Sequence, residues 1–429
     1  MLKHSLLRSC VVGLGLLLAT SSWGASEEYG YPIKDKYVAT VVGTPDGYLA
    51  DLPKKIPFKT RRVSIFPDRE VPDAFFYDSE LLYSVALQRK AAPLIFMIAG
   101  TGSSHNGGTN YQMARAFYQA GFHIVSVSSP TFTNFVISAS RTGVPGHAEH
   151  DAEDLYRAME KIHAILVEKD KLEITGFNLT GYSLGGFNSA YVAKLDEERK
   201  SFNFDRVLLI NPPVSLYNSI SLLDRMAENI PGGVDNFNLF FEDLVQGFGK
   251  VYTRSSGNVD SGNFLYAVYQ AMDLQNEELA ALIGVAFRLS SASMVFASDV
   301  MTNYGYVKPR DMRLTRHTDL LPFNRVVSRL GFTDYYHEYF YPYYRDQENA
   351  GERDDFVKSE SLTHIQDYLR SSPKITVMHN ENDVILEPGE IDFFREVFGD
   401  RAKIYPYGGH CGNMSYRDNV AHMIDTFTR

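Results

Sequence analysis

From residue 61 the chain shows two kinds of apolar pattern. Arg61 to Phe66 and Leu82 to Leu87 alternate apolar and polar residues, which predicts half-buried strands. Leu94-Ile95-Phe96-Met97-Ile98-Ala99 is continuously apolar, as central parallel strands buried on both faces are. Further strands are predicted at Phe122 to Val127, Glu173 to Thr180 and Val207 to Ile210. Helical spacing fills the gaps, around Tyr111 to Ala120, over Asp151 to Glu168 and over Phe187 to Leu195. In the second of these, Leu155, Met159, Ile162 and Leu166 recur on one face. The alternation stops at Asn211-Pro212-Pro213 and resumes at Ile375-Thr376-Val377-Met378. A helix around Ile391 to Phe398, a strand at Ala402 to Tyr405 and a last helix from about Asn419 to Phe427 complete it. Strands alternating with helices call for an α/β fold, a mostly parallel sheet flanked by helices.

Residues 212–372 interrupt that alternation. The stretch is long enough to be a subdomain and reads as mostly helical. Leu279, Leu282, Ile283, Ala286 and Phe287 mark one amphipathic helix, and Phe332 to Tyr344 (FTDYYHEYFYPYY) is crowded with aromatic rings. Residues 25–59, rich in Pro, Gly and Tyr, read as an ordered but irregular N-terminal extension. Residues 1–24 have the pattern of an export signal: Lys3 and Arg8, an apolar run from Cys10 to Ala19, and the small-x-small site Ser22-Trp23-Gly24. An uncleaved anchor is the alternative. No other stretch reads as long and apolar enough to cross a membrane.

Composition narrows the partners. The formal charge is −10 and no basic stripe occurs, which speaks against nucleic acid. Of two cysteines, cleavage would leave Cys411 alone, so no intramolecular disulfide is expected. An exported eukaryotic domain more often carries disulfides, so a bacterial periplasmic or secreted protein is the better fit.

Gly181-Tyr182-Ser183-Leu184-Gly185-Gly186 lies between a predicted strand and a predicted helix. That is the context in which G-x-S-x-G marks a nucleophile on a tight turn. The turn leaves no room for side chains at Gly181 and Gly185, and Gly186 lets the helix pack closely on its strand. A serine hydroxyl needs a base, and the base needs an orienting group. His410, in Gly408-Gly409-His410 after the last strand, is the candidate base. Asp383, a few residues beyond the strand at 375, is the candidate orienting acid. Glu381 and Glu387 compete for that role, Asp392 would point away on the next helix, and His379 could line the site. Cys411 reads as a small filler beside His410. Two amide donors should stabilise an oxyanion. Leu184 N–H is the first, and the second comes from Gly100-Thr101-Gly102, from Thr101 or alternatively Gly102. That loop has no P-loop lysine and no G-x-G-x-x-G, so nucleotide binding is not expected. His147, His150, Asp151 and Asp154 have i, i+4 spacing for a metal half-site. Acidic residues complementing a helix N-terminus explain the same pattern, and neither metal nor organic cofactor is expected.

With the GYSLGG turn, NENDVIL after a strand and YGGHCG after the last one, the chain resembles the α/β-hydrolase superfamily over roughly residues 60–211 and 373–429. The resemblance implies an eight-stranded sheet, a cap inserted after the sixth strand and a triad of Ser183, Asp383 and His410. Two features depart from the family pattern. The oxyanion loop reads AGTGSSHNGG rather than HG or HGGG, and the insertion is longer than a typical cap. The expected activity is carboxylic ester hydrolysis through an acyl-enzyme, on a small-molecule or lipid ester, with room for peripheral membrane contact through the cap. Peptidase, thioesterase and acyltransferase chemistry use the same parts. A non-catalytic binding protein on the same scaffold is a rival from another class.

Overall fold

The computed structural model describes residues 29–233, 273–348 and 351–428, with a few single positions between 236 and 269. The export pattern at 1–24 lies outside the described residues. Eight strands form a single sheet: β1 (Lys59–Val63), β2 (Leu81–Ala86), β3 (Ala92–Ile98), β4 (His123–Val127), β5 (Ile174–Tyr182), β6 (Arg206–Ile210), β7 (Ile375–Asn380) and β8 (Ala402–Tyr405). Their spatial order is β1-β2-β4-β3-β5-β6-β7-β8. β2 runs antiparallel to β1 and β4, and every other pairing is parallel. This is the α/β architecture expected from the alternation, with the antiparallel pair where the sequence alternates apolar and polar.

The central strands are buried on both faces, as their continuous apolar runs require: Leu94 to Ile98 and Val207 to Ile210 are fully enclosed. Register decides what the sheet presents at its carboxyl edge. Ile98 pairs with Gly181, Tyr182 with Ile210, and Ile210 with Met378. The residues that leave β3, β5, β6 and β7 therefore emerge side by side, the crevice in which open α/β sheets bind ligands.

The insertion lies between β6 and β7, and its described part is helical. Its spine is the helix Asn276–Thr302, closed at its start by Glu278, whose side chain accepts from the Gln275 N–H. Contrary to the expectation from sequence, this helix is long and apolar enough to cross a membrane by length and composition. Its most apolar window has mean hydropathy 1.8 and is 67% buried inside the protein. It packs on Leu216–Ala227 and on the sheet's own loops, so its apolarity fills the cap core. In the aromatic run, Tyr339 and Tyr344 are fully buried core residues. Tyr335–Phe340 form a π-helical turn.

Two short helices were not legible in the periodicity. Thr133–Ser138 follows β4, and Lys36–Val42 lies within the N-terminal extension. The latter is started by Asp35, whose carboxylate accepts from the Tyr37 and Val38 N–H groups at 2.9 Å. The extension, expected to be irregular, therefore carries a helix that meets the site.

Candidate active site

β5 ends at Tyr182, and the elbow helix Leu184–Arg199 begins two residues later. Ser183 alone makes the reversal, with φ 54° and ψ −128°. A non-glycine residue held there stores strain of about 1–3 kcal/mol. Its surroundings enforce it: Ser183 N–H donates to Ile210 O at 2.8 Å. A Cβ on Gly181 would lie 2.2 Å from Gly185 O, and one on Gly185 would lie 2.2 Å from Ile98 O. The two glycines bracket the serine because backbone already occupies the space their side chains would need.

The structure brings Ser183, His410 and Asp383 together. His410 Nε2 lies 2.8 Å from Ser183 Oγ, and Nδ1 lies 3.0 Å from both carboxylate oxygens of Asp383. With the proton on Nδ1, Nε2 is free to accept from the serine hydroxyl. All three side chains are buried. Burial alone would raise the Asp383 pKa, but the charge and hydrogen bond of His410 outweigh it and hold the carboxyl below its ordinary value. Burial likewise disfavours the imidazolium, and the Asp383 carboxylate overrides it, lifting His410 well above the ordinary histidine value. Asp383 is further held by Asn211 Nδ2 at 2.9 Å and by Ile385 N–H at 3.1 Å.

The competing assignments fall elsewhere. Glu381 and Asp392 both pair with Arg395, and Glu387 pairs with Arg225, all at the surface. His379 is enclosed behind Asp383. Its Nε2 donates to Pro212 O at 3.0 Å and its Nδ1 accepts from Asn380 N–H at 2.9 Å, so both ring nitrogens are committed. Cys411 Sγ lies 3.9 Å from His410 Nε2, beside the ring. Asp151 accepts from Gly146 N–H, and Asp154 from Arg141 N–H and Arg157, which accounts for both carboxylates of the metal-like spacing. His147 and His150 stack with ring centroids 4.1 Å apart.

The oxyanion loop can now be read donor by donor. Gly102 N–H is taken by Thr131 Oγ1 at 2.8 Å. Gly102 also has φ +66°, and a Cβ there would lie 2.9 Å from Ser290 Cβ on the long cap helix. Among the described residues no bond from the Thr101 or Leu184 N–H occurs, and both residues line the cavity beside Ser183. The tie between Thr101 and Gly102 is broken by Thr131, a residue sequence reasoning did not reach.

It also missed the clamp on the histidine loop. Thr40 Oγ1 accepts from His410 N–H at 2.8 Å, and Asn382 Oδ1 accepts from the Gly408 and Gly409 N–H groups at 3.0 Å. Asn380 Nδ2 donates to Gly409 O at 2.8 Å, and Thr44 Oγ1 donates to Gly412 O at 3.0 Å. The loop is pressed so closely on the N-terminal helix that a Cβ on Gly412 would lie 2.0 Å from Ala39 O. Above the relay sits the cap, with the Phe287 ring 6.2 Å from that of His410. A cavity of about 830 Å³, part of it open to solvent, runs between cap and core from Ser183. Its wall is mainly apolar, with Ile220, Leu223, Phe287, Met294 and Phe332 among the lining residues.

No family model and no curated protein matches the chain. Solved structures do. A Legionella pneumophila protein assigned as a hydrolase is 13% identical, with 92% of this chain and 94% of that one covered and a TM-score of 0.45. A Pyrococcus furiosus esterase is 8% identical (89% and 98% covered, TM-score 0.40). A Mycobacterium smegmatis proline iminopeptidase is 14% identical (86% and 98% covered, TM-score 0.38). Likeness at this level carries no weight for activity. On its strand order, its elbow after β5, the cap after β6 and the chain order of serine, acid and histidine, the protein has the α/β-hydrolase fold.

Proposed function

We propose that the protein is an exported serine hydrolase that cleaves carboxylic esters through an acyl-enzyme. The observation that carries this is the hydrogen-bonded relay Asp383–His410–Ser183, whose serine lines an apolar cavity. His410 takes the Ser183 proton as Oγ attacks the acyl carbonyl. The oxyanion is held by the Thr101 and Leu184 amides. One such donor typically contributes about 2.7–4 kcal/mol of barrier lowering. His410 then protonates the leaving alcohol, and water repeats the cycle on the ester of Ser183. No step calls on a metal or cofactor.

An ester is favoured over a peptide by the cavity wall, which is mainly apolar and suits an apolar acyl group. Export rests on the pattern of residues 1–24, and contact with lipid on the exposed Leu321 and Val326 of the cap. Fluorophosphonate labelling, lost in Ser183→Ala, tests the nucleophile. Turnover of p-nitrophenyl esters from acetate upward tests the reaction, and silence on all of them would refute ester hydrolysis.

A further inference from the structure

The polar groups on the cavity wall are nearly all committed. Tyr335 OH donates to Pro145 O at 3.0 Å, and Ser219 Oγ donates to Ile385 O at 2.7 Å. Tyr217 OH bonds His337 Nε2 at 3.0 Å, and Thr131 Oγ1 accepts from Gly102. Two groups remain. Tyr336 is 4% exposed, lines the cavity, and its OH is buried with no hydrogen-bond partner. Glu360, 3% exposed, lines the same cavity; its Oε2 accepts from Ala148 N–H at 2.5 Å. Its Oε1 has only the distant Ser359 Oγ, at 3.4 Å, and His147 Nδ1, at 3.6 Å.

The residues flanking Glu360 receive the Tyr191 OH through their carbonyls. Tyr191 is eight residues along the elbow helix from Ser183, about 12 Å by the rise of the helix backbone. Tyr336 belongs to the π-helical turn, a local irregularity that often marks a functional surface. A phenol enclosed in an apolar wall without a partner is costly unless something bonds it.

Resting on the ester-hydrolase reading, we propose that the acyl pocket recognises an acid that is apolar along its length and carries a hydroxyl at its far end. That hydroxyl bonds the Tyr336 OH and the Glu360 carboxyl. Burial lifts Glu360 to about 8, with the backbone N–H of Ala148 opposing and Asp151 adding to the rise. At neutral pH it is a carboxylic acid, able to donate one hydrogen bond and accept another, and so matched to a hydroxyl rather than to a cation. A plain alkyl chain would fill the apolar wall but leave both groups unpaired.

The test compares matched pairs of p-nitrophenyl esters with and without a terminal hydroxyl, in aliphatic chains of graded length and in an aryl series with and without a para hydroxyl. The expected result is a preference in kcat/KM of about tenfold or more for the hydroxylated member of one series. The preference should fall to near unity in Tyr336→Phe and shrink in Glu360→Gln. The series that responds tells an aliphatic from a phenolic hydroxyl. Calorimetric titration of the corresponding free acids into Ser183→Ala reads the same pocket without turnover. Acetate turnover with no hydroxyl preference in either assay overturns this inference and leaves the hydrolase reading intact. A hydroxyl preference in binding without turnover of any ester does the reverse.

Discussion

Replacing Asp383 by asparagine removes one charge and almost no volume. In the transition state His410 is an imidazolium with Nδ1 3.0 Å from both carboxylate oxygens. At an effective dielectric constant of about 20, opposite charges at that range attract by roughly 5 kcal/mol. An amide returns a small part of this as a neutral hydrogen bond, so kcat/KM should fall about a thousandfold. The neighbours permit the substitution without rebuilding the site. Ile385 N–H donates to Oδ1 and Asn211 Nδ2 to Oδ2. A new NH2 at the Oδ2 position would face Asn211, whose own Oδ1 is buried without a partner. Turning the Asn211 amide over supplies that acceptor. Oδ1 of the new asparagine then still receives the His410 Nδ1 proton.

The pH profile separates loss of charge from loss of geometry. Catalysis needs neutral His410, and Asp383 holds its pKa well above the ordinary value against burial. In the parent enzyme kcat/KM should therefore rise along a limb above the usual histidine range. Without the carboxylate, burial is opposed only by the neighbouring Cys411, and the limb moves to lower pH. Steady-state kinetics on p-nitrophenyl acetate from pH 5 to 10 would measure both effects. Glu381→Gln and Glu387→Gln, which disturb only exposed ion pairs, should stay within about twofold of the parent. A loss under tenfold in Asp383→Asn, or a limb that does not move, would refute the assignment of Asp383.

Gly185→Ala should prevent the elbow from forming, because backbone oxygens of Ile98 and Ala99 lie 2.2 and 2.6 Å from the added methyl; retained fluorophosphonate labelling would contradict this. Thr40→Val removes the acceptor of His410 N–H and should cost about 1–3 kcal/mol in stability by denaturant unfolding. It should also lower kcat about tenfold with KM little changed, since the histidine loop rather than the acyl pocket is loosened. Glu360 supplies a pH dependence of stability. Its folded pKa, about 8, lies above its ordinary 4.5, so the folded state retains a proton that the unfolded chain releases. Its contribution is full below about pH 4.5 and is lost as pH rises through about 8. His147, Asp151 and Glu149 surround it, and Asp151, also raised, adds a slope of the same sign. Glu360→Gln should therefore flatten the fall of melting temperature between pH 5 and 8, and an unchanged slope would exclude Glu360 as its source.

What was legible in the chain was whatever local spacing determines. β8 falls on its expected residues, and the ends of β2 and β6 within one, because apolar patterning reports where strands lie; β2, expected to be half-buried, is buried at five of its six residues. Ser183, Asp383 and His410 were legible because each follows a strand that ends at the same edge of one parallel sheet. Chain order then stands in for position in space. The parts that stayed hidden depend on separations no window spans. Thr40 meets His410 across 370 residues, Asn211 meets Asp383 across 172, and Thr131 disqualifies Gly102 from another loop altogether. Asn211 could have been suspected, since it opens the Asn-Pro-Pro break after β6. Its φ of 45° is the kind of backbone asparagine tolerates better than most residues.

The aromatic run shows why composition alone stops short. Most of its rings belong to one buried cluster, and some of them, Tyr335, Tyr336 and Phe340, also face the cavity, from a turn that is π-helical rather than α-helical. Tyr339 and Tyr344 turn inward with their hydroxyls bonded to Thr302 and to Val144 O. Tyr336, three residues from one and eight from the other, is left with a buried hydroxyl and no partner. The serine, histidine and aspartate carry the proposed chemistry. That one unsatisfied phenol, on the π-helical turn, is the group on which the proposed substrate preference rests.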